Sequence, residues 1–192
     1  MKRINQENIN TPDFFNKKFT GEFGMEDMER LTQLAKYYKG GTYLDVGCMD
    51  SPMPAFLAEK FPGQKIFALD FAEEIIDFFT PRFPKVRYKH IHDATKLPFK
   101  DKLADYIVAG ELIEHLEDPQ KFFDEAFRVL RPGGWLAIST PYKELEAQGS
   151  IGGKQHLWSF DKEDLNKFMD NPEILLHKDP GGISMIAWKQ KE

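Results

Sequence analysis

The stretch "YLDVGCMDSPMP", residues 43–54, decides how this chain is read. It runs from an apolar, strand-like segment into a turn, the place where many nucleotide-binding proteins carry a glycine-rich loop. Only one glycine, Gly47, stands there; Met49 and Ser51 come two and four residues later, and Pro52 and Pro54 follow. Proline suits the first turn of a helix, because the amides there lack intrahelical partners anyway. A buried strand, a tight turn and a helix start therefore succeed one another, as at the opening of a βαβ unit.

The flanking sequence repeats the alternation. Upstream, "MEDMERLTQLAKYYKGG" places Met28, Leu31, Leu34, Ala35 and Tyr38 on one helical face and stops at Gly40 and Gly41. Downstream, "KIFALD" reads as a strand, "AEEIIDFF" as a helix, and "VRYKHIH" and "ADYIVAG" as strands. Then come a helix, "DPQKFFDEAFRVL", a turn, "RPGG", and a strand, "WLAISTP". "SFDKEDLNKFM" is a helix capped by Ser159 or Asp161. "EILLHKD", "PGG" and "ISMIAWKQ" make a closing antiparallel pair. The expected fold is α/β: a single Rossmann-like seven-stranded sheet, mostly parallel with a C-terminal antiparallel hairpin, and helices on both faces. Residues 1–24, polar with Phe14, Phe15, Phe19 and Phe23, read as an N-terminal arm or lid, and residues 25–192 as the domain proper. The irregular stretch 142–158 is long for a compact domain and is expected to help cover a ligand.

Composition narrows the function. A length of 192 residues suits one domain, and 41% hydrophobic with 30% charged residues is ordinary for a globule. The net charge of −5, without a basic block, argues against nucleic acid or an anionic membrane as partner. Cys48 is the lone cysteine, so there is no internal disulfide, and no cysteine cluster suggests zinc. "MKRINQENIN" has no apolar leader core, and no apolar run reaches membrane-spanning length, so a cytoplasmic protein is expected.

In an open parallel sheet, ligands sit beyond the carboxyl ends of the strands. Acidic residues fall there repeatedly: Asp45, Asp70, Asp93 and Glu111 each lie at or just after a strand end. With "LDVGC", "HDATKLPF", "ADYIVAGELIEHLEDP" and "FRVLRPGGWLAISTP" in that order, the chain resembles the class I S-adenosylmethionine-dependent methyltransferases, small-molecule branch, from about Met25 onward. The resemblance implies that S-adenosylmethionine is the cofactor and a small-molecule nucleophile (O, N or C) the methyl acceptor. It implies cofactor contacts from Asp45, Gly47, Cys48 and Met49 around the loop, from Asp70 and Phe71 at the ribose, from Asp93 and Ala94 at adenine, and from Glu111 near the methionine end. The family pattern has glycine where this chain has Met49, and often where it has Ser51, so a side chain there must turn away or narrow the pocket. The residue types fit independently: one carboxylate can fork to vicinal ribose hydroxyls, and acidic groups suit an ammonium and a sulfonium.

"ELIEHL" adds Glu111, Glu114 and His115 at helical spacing, and His156 arrives later in "KQHLWSF". The expected roles of His156 and His115 are catalytic, on the acceptor side and without a metal, as neutral imidazole can take a proton near pH 7. Two alternatives stay open. The same four residues resemble the metal-binding spacing of RNA 3′-end 2′-O-methyltransferases, and the missing glycines suit a non-catalytic binding module of the same fold.

Overall fold

The computed structural model describes residues 1–192 apart from 6, 25, 26, 144–154, 180 and 181. Its centre is β2 (Thr42–Val46), all five residues of which are buried. Parallel strands covered on both faces carry such continuous apolar runs. β2 pairs in parallel with β3 (Lys65–Asp70) on one side and β5 (Ala104–Gly110) on the other. β3 carries β4 (Val86–His90) outward, and β5 carries β6 (Leu130–Pro141). The antiparallel pair β8 (Glu173–Asp179) and β9 (Gly182–Gln190) completes the order β4-β3-β2-β5-β6-β9-β8. This is the seven-stranded, mostly parallel sheet with a closing hairpin that the sequence leads one to expect. The chain runs outward from β2 to β4 and returns to β5, so the order reverses at β2 and opens a crevice at its carboxyl end.

Helices pack on both faces. α3 (Met53–Lys60) follows β2 with Pro54 in its first turn, as the loop sequence implies. α4 (Glu73–Phe79) follows β3. α5 (Pro119–Val129), capped by Asp118, buries Phe122, Phe123, Ala126 and Val129. α6 (Lys162–Met169) is capped by Asp161, whose side chain accepts from Asp164 while Asp164 reciprocates, a capping box. α2 (Met28–Leu34) ends four residues before Tyr38, which is buried from the turn that follows.

Two local expectations need correction. "RPGG" is no turn before a strand: residues 131–134 lie inside β6, where the register with β5 shifts between Ala104–Leu130 and Tyr106–Trp135. The amide of Gly133 donates to Lys191 and that of Lys191 to Gly134, at 2.7 and 2.9 Å, so the chain after β9 takes up the bulge's backbone groups. Trp158, at the end of the stretch expected to help cover a ligand, sits in β7 (Trp158–Ser159), paired with β1 (Lys2–Arg3), and donates its indole N–H to the carbonyl of Leu116 at 2.8 Å.

The N-terminal segment is docked across the carboxyl-end crevice. After β1, α1 (Pro12–Lys18) is capped by the Thr11 side chain. Phe19 and Phe23 pack on Phe79 of α4, the second ring stacked at 4.8 Å. Phe15 meets Phe71 and His115. Phe15, Phe19 and Phe23 of the N-terminal segment thus share one aromatic seam. Of the stretch 142–158, residues 144–154 lie outside the described residues.

The stacked pair Phe123 and Phe168, 4.7 Å apart, joins α5 to α6 in the core. Phe123→Ala is expected to cost about 3–5 kcal/mol of unfolding free energy; urea denaturation that shows less than about 1 kcal/mol would contradict this packing.

Candidate active site

A cavity of about 700 Å³ opens where the crevice is expected, lined by the loop after β2, the ends of β3 and β5, and the N-terminal segment. That volume is within the range of small-ligand sites. Gly47 turns the chain with φ +73°, a backbone that favours glycine, and a Cβ there would come within 2.8 Å of a Leu112 methyl and displace that side chain. Met49 is also left-handed, at φ +39°, without being glycine. Its side chain packs with the aromatic seam around Ala72, Ile75 and Phe79, which holds the strained backbone in place.

Asp70 ties this loop to β3. One carboxylate oxygen accepts from the amide of Met49 at 2.8 Å, the other from that of Ala72 at 2.9 Å. The amides of Gly47 and Cys48 both donate to the carbonyl of Leu69. Asp70 is 4% exposed, and burial raises its pKa against the pull of these amides. Asp45, equally buried, is pushed up to about 7, chiefly by desolvation and then by the charge of Asp70. Cys48 is buried and its thiol is pushed up by the same burial, so it packs and does not act as a nucleophile.

Asp93 accepts from both the amide and the hydroxyl of Thr95 and pairs with Lys96 at 3.3 Å. Desolvation raises its carboxyl, but these partners outweigh it and leave it below the usual range. Asp93 therefore caps the turn at the cavity wall, with Ala94 and Phe71 beside it on the lining. Glu111, left-handed at φ +51°, has its amide bonded to the carbonyl of Ser139. Its carboxylate lies 3.8 Å from the Arg30 guanidinium, which also donates to the Ser139 hydroxyl and to Asp27.

Arg30 was not singled out from the sequence, although it lines the cavity. Nor was Asn10, which donates to the carbonyls of both His115 and Gln155. Both reach the site across long sequence separations, and nothing local marks them. His115 and His156 come together with ring centres 4.8 Å apart, and both line the cavity. Glu114 lies behind them, fully buried, and desolvation followed by the charge of Glu111 pushes its carboxyl well up.

Comparison with known proteins agrees with this geometry. Residues 44–138 match the family model described as a methyltransferase domain. The chain superposes on a SAM dependent methyltransferase from Aquifex aeolicus with a TM-score of 0.66 at 19% identity, covering 93% of this chain and 97% of that one. The chain belongs to the class I S-adenosylmethionine-dependent methyltransferases. Among curated relatives of this methyltransferase, it is 29% identical over 164 residues to the biotin biosynthesis bifunctional protein BioHC of Teredinibacter turnerae, covering 79% of this chain and 28% of the relative. It is 26% identical over 152 residues to the malonyl-[acyl-carrier protein] O-methyltransferase of a Marinomonas strain, covering 77% of this chain and 54% of the relative. The chain thus spans between about a quarter and about half of the length of these two relatives. Among the described residues, no helix is long and apolar enough to cross a membrane.

The donor set fits the family's cofactor. Carboxylates at Asp45, Asp70 and Glu111 suit a cationic ligand, and Arg30 suits its carboxylate.

Asp45 ties stability to pH. In the folded methyltransferase it keeps its proton up to about 7, whereas in the unfolded chain it loses it near the ordinary value of 3.8. Its burial therefore costs nothing at low pH and destabilises the fold progressively as pH rises between those values, by up to about 1.4 kcal/mol per pH unit. Asp45→Asn removes that slope. Urea denaturation of both proteins at about pH 5 and about pH 8 is expected to show the variant gaining on the wild type at the higher pH; an equal difference at both would place the proton elsewhere.

Proposed function

We propose that this chain transfers a methyl group from S-adenosylmethionine to a small-molecule nucleophile held in the cavity at the carboxyl ends of β2, β3 and β5. The observation that carries the reading is the placing of the Asp45, Asp70 and Glu111 carboxylates and the Arg30 guanidinium in that cavity, around a loop whose Gly47 leaves no Cβ in the turn. When bound, S-adenosylmethionine supplies a methyl group on a sulfonium, which a nucleophile takes by in-line displacement.

In this reading each wall has one task. Glu111 and Asp45 hold the ligand's ammonium, and Arg30 its carboxylate. Asp70 uses the lone pairs left after its two amide bonds for the ribose hydroxyls, while Asp93, Ala94 and Phe71 bound the adenine end. Met49 and Cys48 contribute backbone to the loop. On the far side, Phe15, His115 and His156 orient the acceptor's nucleophile. Alignment supplies much of the rate, since the sulfonium already activates the methyl group. An acceptor of small size is supported by the acidic balance of the chain and by the cavity's volume of about 700 Å³. The Marinomonas relative is named an O-methyltransferase, which supports oxygen as the methylated atom.

Calorimetry tests the assignment through a ligand pair. Glu111→Gln is expected to weaken S-adenosylmethionine about tenfold, equivalent to about 1.4 kcal/mol, while leaving 5′-methylthioadenosine, which lacks the amino-acid tail, almost unchanged. Loss of both ligands alike, or of neither, would remove Glu111 from the methionine end. Absence of any S-adenosylmethionine binding by the wild type would overturn the whole reading.

A further inference from the structure

One wall of the cavity is built by the N-terminal segment, the start of α5 and the chain at residues 155 and 156. The charged side chains on it are Lys18, Glu117, Asp118 and Lys121. Glu117 pairs with Arg3 at 2.9 Å and Asp118 with Lys121 at 3.1 Å, so three of these charges are matched. Lys18 is the exception: among the described residues no carboxylate pairs with it. Its ammonium donates to the side-chain oxygen Oε1 of Gln155 and lies 4.9 Å from the centre of the Phe14 ring, both neutral partners. Burial lowers its pKa, and no negative charge opposes that shift. A partly desolvated cation without a counter-charge favours an anion that arrives from outside.

The surroundings of Lys18 hold it in place. Phe15 and Phe19, on either side of it in sequence, dock on Phe71 and on Phe79. Asn10 donates to the Gln155 carbonyl at 2.8 Å, so the N-terminal segment meets Gln155 through backbone and side chain alike. An ammonium only donates, so Gln155 must turn Oε1 toward it, which leaves the Nε2–H groups for another acceptor. Lys18 keeps two N–H groups of its own, and no hydrogen-bond acceptor among the described residues takes them. Lys17 already stands exposed in the last turn of α1, where a cation complements the helix dipole, so that task does not explain Lys18. Two neighbouring donor groups, one of them charged, match the paired oxygens of a carboxylate or phosphate.

We propose that Lys18 and Gln155 form an anion subsite that holds a carboxylate or phosphate group of the methyl acceptor, at a position other than its nucleophile. The anion belongs away from the reacting atom for a chemical reason. An ammonium bonded to the attacking lone pair would weaken the nucleophile, whereas the same bond to a remote group spends its energy on alignment. Lys18 is thus a specificity-determining and positioning residue: uncharged analogues of the acceptor lose the hold while the cofactor keeps its own contacts. That the anion is part of a methyl acceptor rests on the methyltransferase reading; the anion subsite itself does not.

The test titrates the full chain by calorimetry with 3-phenylpropionate, phenyl phosphate and the uncharged 3-phenylpropionamide, with and without saturating S-adenosylhomocysteine. A pH of about 8 keeps the imidazoles of His115 and His156 neutral, so that they do not attract the anions themselves. At least one of the two anions is expected to bind saturably and the amide at least about tenfold more weakly; which anion binds tighter tells carboxylate from phosphate. Lys18→Met is expected to weaken the anion at least about tenfold and Gln155→Leu about threefold. Lys17→Met, one residue away and exposed, should change nothing. Circular dichroism and S-adenosylhomocysteine affinity are expected to be those of the wild type in all three variants. Binding of neither anion, equal binding of the amide, or a Lys18→Met protein that binds the anion as the wild type does would overturn the proposal. A wild type that binds the anion through Lys18 but not S-adenosylhomocysteine would instead overturn the methyltransferase reading and leave the anion subsite standing.

Discussion

The Asp70 carboxylate, bridging the amides of Met49 and Ala72, is the interaction on which the site depends. It fixes two loops at once, one leaving β2 and one leaving β3, and these loops form adjoining walls of one cavity. A charge buried so deeply is stable only because each oxygen meets an aligned N–H. Remove the carboxylate and the β2 loop loses its side-chain tie to β3, though Gly47 and Cys48 still donate to the Leu69 carbonyl. Asp45, buried beside it with fewer partners, is left to hold a proton instead. The same few ångströms thus contain two buried carboxylates: at Asp70 the amide partners oppose the desolvation, and at Asp45 desolvation, helped by the charge of Asp70, prevails.

Met49 shows how the loop does without its second glycine. Left-handed backbone is strained for a residue with a side chain. Here the strain is offset by the amide bond to Asp70 and by packing of the thioether against the aromatic seam that α1 and α4 build. The N-terminal segment therefore supports the loop after β2 as well as lining the cavity: Phe15, Phe19 and Phe23 belong to the seam that seats Met49.

Much of this was legible in the sequence, and for a physical reason. Strands and helices with regular apolar spacing, such as "TYLDV" and "DPQKFFDEAFRVL", carry their own evidence, and strand-end carboxylates follow from where ligands sit in an open sheet. What stayed hidden depends on distant partners. The bulge at residues 131–134 exists because Lys191 bonds it. The pairing of β1 with β7 joins residues too few to show a period. Arg30 and Asn10 look like ordinary polar residues until the fold brings Ser139, Glu111 and Gln155 to them. Glu114 had the right spacing, but its complete burial belongs to tertiary structure alone.

The strand order has a consequence for how the protein is made. β9 inserts between β6 and β8, pairing with β6 from Trp135–Gln190 to Pro141–Ser184. While the chain emerges from the ribosome, the strands from β2 to β6 are complete well before residues 182–190 appear. During that interval β6 is an open edge, with the apolar run Leu136, Ala137 and Ile138 and its unpaired backbone turned to solvent. Such an edge is a template for wrong partners. The stretch between residue 141 and residue 182 therefore sets how long that edge stays open while the chain is made.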